Sequence, residues 1–413
     1  MEFADFILIH DGDDPSRLVL SRNRWPEVDV ALAATTIEVR RKLRSKLPSW
    51  HSVPGLVYPL RLSGEQCSSE ATAMYKAGVC FKAGDGADAI ADLTGGLGAD
   101  AWAFSKLFGK VLYNEADEAL VNAARRNFPL LGMDNVLIRH ARLVHKGGDG
   151  MTVSEILDGF SPGVVFLDPA RRGVGGRKVF LLEDCSPDIT ALTDELFEAV
   201  PVVVVKLSPM ADISMLLHRL PCVSEIHCVA AEGECKELLV VMKRGFDGEP
   251  LIVAADSGSG ACLNFTLADE DEADLVPVLG MGGIKGFLFE PGKALTKAGA
   301  FKILCSRFPG LKKIGVSTHL YVTETVPDGL SALGKVFRIV EVLPMNGGSL
   351  RDIAKRYPRA EVTARNMQIG SDRLREKLKC LSGSDIHIFA CRTDYPGGSG
   401  NVLIITEKNY NND

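Results

Sequence analysis

No uninterrupted apolar run in the 413-residue chain approaches the roughly 18 residues that span a bilayer. The longest candidates, such as 200–205 (VPVVVV), have the length of a strand. A transmembrane helix is therefore excluded. The first residues, MEFADFILIHDGDD, carry Glu2 and Asp5 and lack a basic region followed by a long apolar stretch, so no secretory signal is read and a cytoplasmic location is expected. Ten cysteines are present without a single C-x-x-C pair, and Cys222, Cys228 and Cys235 are spaced too loosely for a metal template. With only eight histidines spread over the chain, no metal is expected, and the thiols are expected to be reduced. What remains is an ordinary globular composition, 46% hydrophobic and 24% charged, long enough for roughly two to four domains with ample core.

The net charge of −6 hides an asymmetry. Residues 281–380 hold 18 basic and 8 acidic side chains, whereas residues 1–280 hold 27 and 41. A basic segment on an acidic body suggests a polyanion-binding appendage, because phosphate neutralisation dominates nucleic-acid affinity. A solvated helix face balanced by the acidic body is the alternative. Residues 1–63 read as a helical N-terminal unit with a long helix from about Val28 to Leu47, between Pro26 and Pro48. Its basic cluster, Arg40, Arg41, Lys42, Arg44 and Lys46, reads as the charged end of an amphipathic helix rather than a nucleic-acid contact.

From 64 to 245 short β-branched runs alternate with helical segments, the pattern of a parallel sheet flanked by helices. Seven strands are expected: Ala89 to Leu93, Lys110 to Asn114, Val136 to Arg139, Val164 to Leu167, Val202 to Lys206, Glu225 to Val229 and Leu238 to Lys243. Only the short stretch 230–237, which begins AAEGEC, separates the last two. They must form a hairpin, which puts one antiparallel strand in the sheet.

The first strand runs into ADLTGGLGAD at 91–100, a glycine-rich turn opening a helix at about Ala101. Gly96-x-Gly98-x-x-Ala101 fits a dinucleotide fingerprint, and Glu115, nineteen residues after Gly96, is placed for ribose hydroxyls. The loop alone does not separate NAD from S-adenosylmethionine. Two features favour the latter. Asp92 ends strand one, where the methionine part of that cofactor wants a carboxylate, and VVFLDPARR at 164–172 delivers Asp168-Pro169 to the carboxyl edge of the sheet, beside the reactive methyl. The plainer alternative for Asp168 is a helix cap.

The segments SRNRWPEVDVALAA (21–34), EQCSSEATAMYKA (65–77), DLTGGLGAD (92–100), LDPARR (167–172), VVKLSPMADI (204–213), ECKELL (234–239) and RNMQIGSDRLREKLK (365–379) together resemble class I S-adenosylmethionine-dependent methyltransferases with a THUMP-like C-terminal domain. The resemblance implies a seven-stranded Rossmann-like α/β sheet, S-adenosylmethionine as cofactor, and RNA, above all tRNA, as partner. It further implies that Asp92, Thr94, Gly95, Gly96, Gly98 and Asp100 line the cofactor's methionine and ribose, that Glu115 takes the ribose hydroxyls, and that Glu70 and Thr72 close over the cofactor from the other side. Asp168 and Pro169 would be catalytic, Asp168 orienting the acceptor or taking its proton. Lys206, at a strand end, is either an active-site cation or the salt-bridge partner of Asp168. Arg171 and Arg172 would clamp a substrate phosphate or carboxylate, or pair with the acidic body. There are departures. HARLV at 140–144 lacks the acid that often meets the adenine amino group; Ala170 and Arg171 replace the proline and aromatic of an amino-methylating N/D-P-P-Y/F/W motif; and Lys206-Leu207-Ser208-Pro209 holds no cysteine for covalent uracil C5 chemistry.

Beyond ADSGSGA (255–261) the character changes. Residues 246–330 read as a small α+β domain with a helix near Pro291 to Phe308. Residues 331–413 read as a ferredoxin-like, THUMP-like domain: strand Lys335 to Leu343, helix Ser349 to Arg356, strand Ala360 to Ala364, helix Ser371 to Leu381, and strands Asp385 to Cys391 and Asn401 to Thr406. Arg373, Arg375, Lys377 and Lys379 crowd the second helix with few aromatics, which favours contact with an RNA backbone over base stacking. The expected protein is a methyltransferase whose basic C-terminal modules present RNA to the 64–245 domain. An NAD-dependent oxidoreductase, a protein or small-molecule methyltransferase, and a non-catalytic RNA-binding protein stay as alternatives.

Overall fold

All seven apolar runs between 89 and 243 form strands in a computed structural model of the chain, which describes residues 1–171, 182–278, 280–383, 385–395 and 398–408. They are β1 (Ala89–Asp92), β2 (Lys110–Glu115), β3 (Val136–His140), β4 (Val164–Leu167), β5 (Val202–Leu207), β6 (Val223–Ala231) and β7 (Glu234–Lys243). They run in the order β6-β7-β5-β4-β1-β2-β3 within a sheet of nine strands, two more than the expected seven. β1 to β5 pair in parallel and β7 lies antiparallel to β5, as the hairpin requires. Every residue of β4 is buried, and so is most of β5. Interior parallel strands are covered on both faces, so they read as unbroken apolar runs.

The chain divides into two compact units, Met1–Ala231 with Lys236–Pro250, and Glu232–Cys235 with Leu251–Asp413. In the first, a helix over Val30–Lys46 starts where Asp29 accepts the Leu32 N–H at 3.0 Å. Its basic cluster is used locally. Arg41 donates to the Asp11 and Asp13 carbonyls, Lys42 pairs with Glu38 and Glu65, Lys46 bonds the Glu65 carbonyl, and Arg40 is buried against Val53 and Asp11. Val39, Leu43, Trp50 and Tyr58 share one buried cluster with Leu97, Ala99 and Leu120, so the helical N-terminus packs directly behind the glycine turn. Asn127 ties the two together, exchanging both backbone hydrogen bonds of Val57 at 2.8 Å.

The second unit opens with a hairpin, β8 (Leu251–Asp256) and β9 (Cys262–Thr266). A seven-stranded sheet follows, from β10 (Phe287–Pro291), β11 (Lys312–Lys313), β12 (Tyr321–Thr323), β13 (Gly334–Pro344), β14 (Glu361–Arg365), β15 (Ile386–Tyr395) and β16 (Gly398–Glu407), in the order β11-β12-β10-β13-β16-β15-β14. β10 pairs with β13, so 246–330 and 331–413 contribute to one sheet. Helices Gly347–Arg356 and Ser371–Leu378 bury Ile353, Leu374 and Leu378 with Val362, Ile388 and Leu403. Two helices differ from their expected extents. The stretch from Pro291 to Phe308 holds Lys293–Ala298 and Ile303–Arg307 as separate helices, because Gly299 turns left-handed (φ +79°). The later helix stops at Leu378 because Lys379 adopts φ +52°. No helix of the described residues is long and apolar enough to cross a membrane.

Candidate active site

Four ends of the parallel strands carry the polar groups singled out in the sequence: Asp92 on β1, Glu115 on β2, Asp168 after β4 and Lys206 on β5. Carboxyl ends are where open α/β sheets bind ligands. Asp92 is only 1% exposed, and its Oδ1 accepts the Thr94 N–H at 3.1 Å. Burial, reinforced by the charge of Asp100, pushes its carboxyl well above the usual carboxylate range.

The glycine turn is shaped by close approaches. A Cβ on Gly95 would meet the Tyr113 ring at 2.1 Å, and one on Gly98, at φ +93°, would meet Phe128 at 2.6 Å. A Cβ on Gly96 would meet nothing nearer than the Thr94 carbonyl at 4.0 Å, so this residue leaves the turn open on one side. Glu115 braces the turn: Oε2 accepts the Gly96 N–H at 2.8 Å, and Oε1 accepts the N–H groups of Ala116 and Asp117, each at 2.8 Å. The Tyr113 hydroxyl donates to the Gly96 carbonyl at 2.6 Å. A buried carboxyl that forms no ion pair among the described residues, beside an open glycine turn, fits S-adenosylmethionine, which carries a sulfonium and an ammonium. Asp92 and the turn 94–98 would hold its charged part, and Glu115 would accept from the ribose.

Asp168 does not cap a helix. Its N–H donates to the Thr94 hydroxyl at 2.6 Å, and its Oδ2 accepts from the Lys206 ammonium at 2.6 Å. Among the described residues its Oδ1 has no partner, and the side chain is 33% exposed. Pro169 follows at the same strand end. Ala170 and Arg171 pair with Cys185 and Ser186 in a short antiparallel ladder. The Arg171 side chain and all of Arg172 lie outside the described residues.

Three side chains that carry this site were given no role from sequence: Ser68, Lys76 and Glu237. Lys76 is fully buried on the helix Glu70–Ala83. Its ammonium lies 2.9 Å from Asp100 and 3.3 Å from Glu237 of β7, and it donates to the Ser68 hydroxyl, which in turn donates to Asp100 at 3.0 Å. Burial opposes the Lys76 charge, yet Asp100 and Glu237 hold its ammonium above the ordinary lysine range. Lys206 behaves alike: burial opposes its charge, and Asp168 keeps its titration above the usual value. Burial raises the Glu237 carboxyl against the pull of Lys76 and Lys206. Asp100 is thus bound into this network. Glu70 accepts the Ser49 N–H at 2.6 Å, and the buried Thr72 belongs to the Ser69 helix cap, its hydroxyl donating to the Ser69 carbonyl. Ser68 and Lys76 lie in EQCSSEATAMYKA and Glu237 in ECKELL. The legible signal was a lysine on an otherwise apolar helix face, Ala73, Ala77 and Cys80.

In the second unit Arg373, Lys377 and Lys379 are exposed and, among the described residues, make no ion pair. Arg375 is half-buried and pairs with Asp372 at 2.6 Å. No group of three or more His, Cys, Asp or Glu side chains among the described residues is arranged to hold a metal ion.

Comparison with known proteins finds two family models in the second unit, a ferredoxin-like domain over residues 287–329 and a THUMP domain-like match over 334–408. The ferredoxin-like description thus falls upstream of the segment whose strand order suggested it. The crystal structure of a candidate methyltransferase from Porphyromonas gingivalis W83 superposes with a TM-score of 0.85 at 30% identity, covering 98% of this chain and 97% of that one. An uncharacterised S-adenosylmethionine-dependent methyltransferase of Mycobacterium tuberculosis is 25% identical over 326 residues, 77% of this chain and 80% of the relative.

Proposed function

Since the chain belongs to the S-adenosylmethionine-dependent methyltransferases that carry a THUMP-like C-terminal segment, we propose that its methyl acceptor is RNA, with tRNA the foremost class. The observation that carries this reading is the THUMP domain-like match over 334–408, which contains the exposed cations Arg373, Lys377 and Lys379 on and just after one short helix. Paired surface charge has little left to offer a phosphate, whereas unpaired cations neutralise phosphates and release counterions.

The cofactor supplies a methyl group activated by a sulfonium. The protein's part is alignment and desolvation. Asp92 and the turn 94–98 seat the charged end, and Glu115 the ribose. Asp168, held by Lys206 through Oδ2, offers Oδ1 to an N–H or O–H of the acceptor, turning a lone pair of that atom toward the methyl carbon. Its main role is orientation, since Oδ2 is already committed to Lys206; the displaced proton leaves for Asp168 or water once the new bond has formed. Arg171 and Arg172, which follow Asp168 closely in the sequence, would meet an acceptor phosphate. Neither an aromatic at position 171 nor a cysteine after β5 is present, which disfavours base-stacked adenine N-methylation and covalent C5 chemistry.

The test is transfer of labelled methyl from S-adenosylmethionine to total RNA and total protein from cells lacking the gene. Nuclease-sensitive label in small RNA is expected. Protease-sensitive label alone would overturn the RNA assignment.

A further inference from the structure

We propose that Lys76 and Glu237 are positioning residues for methyl transfer, forming with Lys206 and Asp168 a ladder of alternating charge that runs from the buried helix Glu70–Ala83 to the carboxyl edge of the sheet. This rests on the assignment of Asp168 and Lys206 to the reaction.

The geometry has three rungs. Lys76, with no exposed surface, lies 3.3 Å from Glu237. Glu237 is on β7, where Leu239 pairs with Lys206 of β5. Residues two apart share a face, so Glu237 and Lys206 are diagonal neighbours within reach of long side chains. Lys206 then meets Asp168 at 2.6 Å. The groups facing this ladder come from every adjoining element: Ser68 before the helix, Asp92 on β1, and Asp100 in the helix Ala99–Ser105, which lies 2.9 Å from Lys76.

Burying so many charges is costly, and apolar packing would serve stability as well or better. The arrangement has a reaction role because it ends at the sheet edge on Asp168 Oδ1, which has no partner among the described residues and sits on a side chain 33% exposed. Glu237 draws the Lys206 ammonium toward β7, and Lys76 balances Glu237 so that this pull stays limited. Asp168 is thereby held with Oδ2 tied and Oδ1 presented. Neither Lys76 nor Glu237 touches acceptor or cofactor in this scheme.

The two residues bear opposite charges, so removing them must have opposite effects on Lys206. Carbon-13 at lysine Cε, with the Lys206 signal assigned through Lys206→Arg, follows its titration in the full-length protein without need of any acceptor. Glu237→Gln should lower the Lys206 midpoint and Lys76→Met should raise it, each by on the order of one pH unit. If Lys76→Met does not fold, the double variant Lys76→Met/Glu237→Gln takes its place, and its midpoint should lie above that of Glu237→Gln. In parallel, methyl transfer to small RNA should show kcat reduced about tenfold, equivalent to a displacement of the aligned pair, with S-adenosylhomocysteine affinity unchanged. An unmoved Lys206 midpoint in both variants would overturn the ladder. So would moved midpoints with unchanged kcat, provided Asp168→Asn abolishes transfer. Full transfer by Asp168→Asn would instead remove the pair, and the positioning role with it.

Discussion

Single residues set the site's response to pH. Asp92 carries a carboxyl that burial holds well above the ordinary range, so in the free protein it retains its proton into pH values where a solvated aspartate has lost it. A bound sulfonium favours the ionised form, so binding releases that proton. S-adenosylmethionine affinity should therefore rise with pH, and more steeply than that of S-adenosylhomocysteine, which lacks the sulfonium charge. Calorimetry of both ligands against pH measures the difference. Asp92→Asn should abolish the extra slope and weaken S-adenosylmethionine about tenfold, the size of one close charge–charge attraction in a partly screened site. Equal slopes for the two ligands in the native protein would place the sulfonium elsewhere. A second residue acts on stability alone. His387 on β15 stacks on Phe389 at 4.0 Å and bonds Thr363 at 2.8 Å, and burial lowers its pKa to about 4. Its folded form resists protonation, so its contribution is complete above the unfolded pKa near 6.5 and is lost as pH falls toward 4. His387→Gln should flatten the acid dependence of unfolding across that window, as followed by hydrogen exchange of β15 amides.

At the scale of elements, the helix Ser371–Leu378 separates charges that composition had pooled. Arg375 is committed to Asp372, while Arg373 and Lys377, four residues apart, share an exposed face. Reversing both to glutamate should weaken RNA binding and reduce the slope of log affinity against log salt by roughly 0.7 to 0.9 for each phosphate no longer neutralised. S-adenosylhomocysteine affinity should stay as in the parent. An unchanged salt slope would take this helix out of the RNA surface. The same scale explains why strands were easier to place than helix ends. β1 to β7 announce themselves through β-branched runs between polar turns. The break at Gly299 and the left-handed Lys379 depend on one backbone torsion each, and nothing in the local periodicity of 291–308 or 371–381 encodes it.

For the whole molecule, two units with separate buried cores imply two cooperative transitions. All three tryptophans, Trp25, Trp50 and Trp102, belong to the first. Saturating S-adenosylhomocysteine, at about a hundred times its Kd, should stabilise the tryptophan-detected transition by about 2.7 kcal/mol. The second transition, seen by far-ultraviolet circular dichroism, should stay in place. Coincident transitions that rise together would mean that the chain unfolds as one unit.

The linear order of residues by itself determined the sheet, the glycine turn, and the strand ends that carry Asp92, Glu115, Asp168 and Lys206. Those features rest on local periodicity and on residues adjacent in the chain, and a parallel sheet brings its carboxyl ends together whatever else happens. Tertiary structure alone decided which charges meet. Lys76 and Glu237 are 161 residues apart and 3.3 Å distant, while Glu70, six positions before Lys76, is drawn off to Ser49. Charge pairing is a matter of distance in space and of burial. Neither is a property of a segment, so Arg40, Arg41, Lys42 and Lys46 could be engaged by their neighbours while Arg373, Lys377 and Lys379 make no ion pair among the described residues.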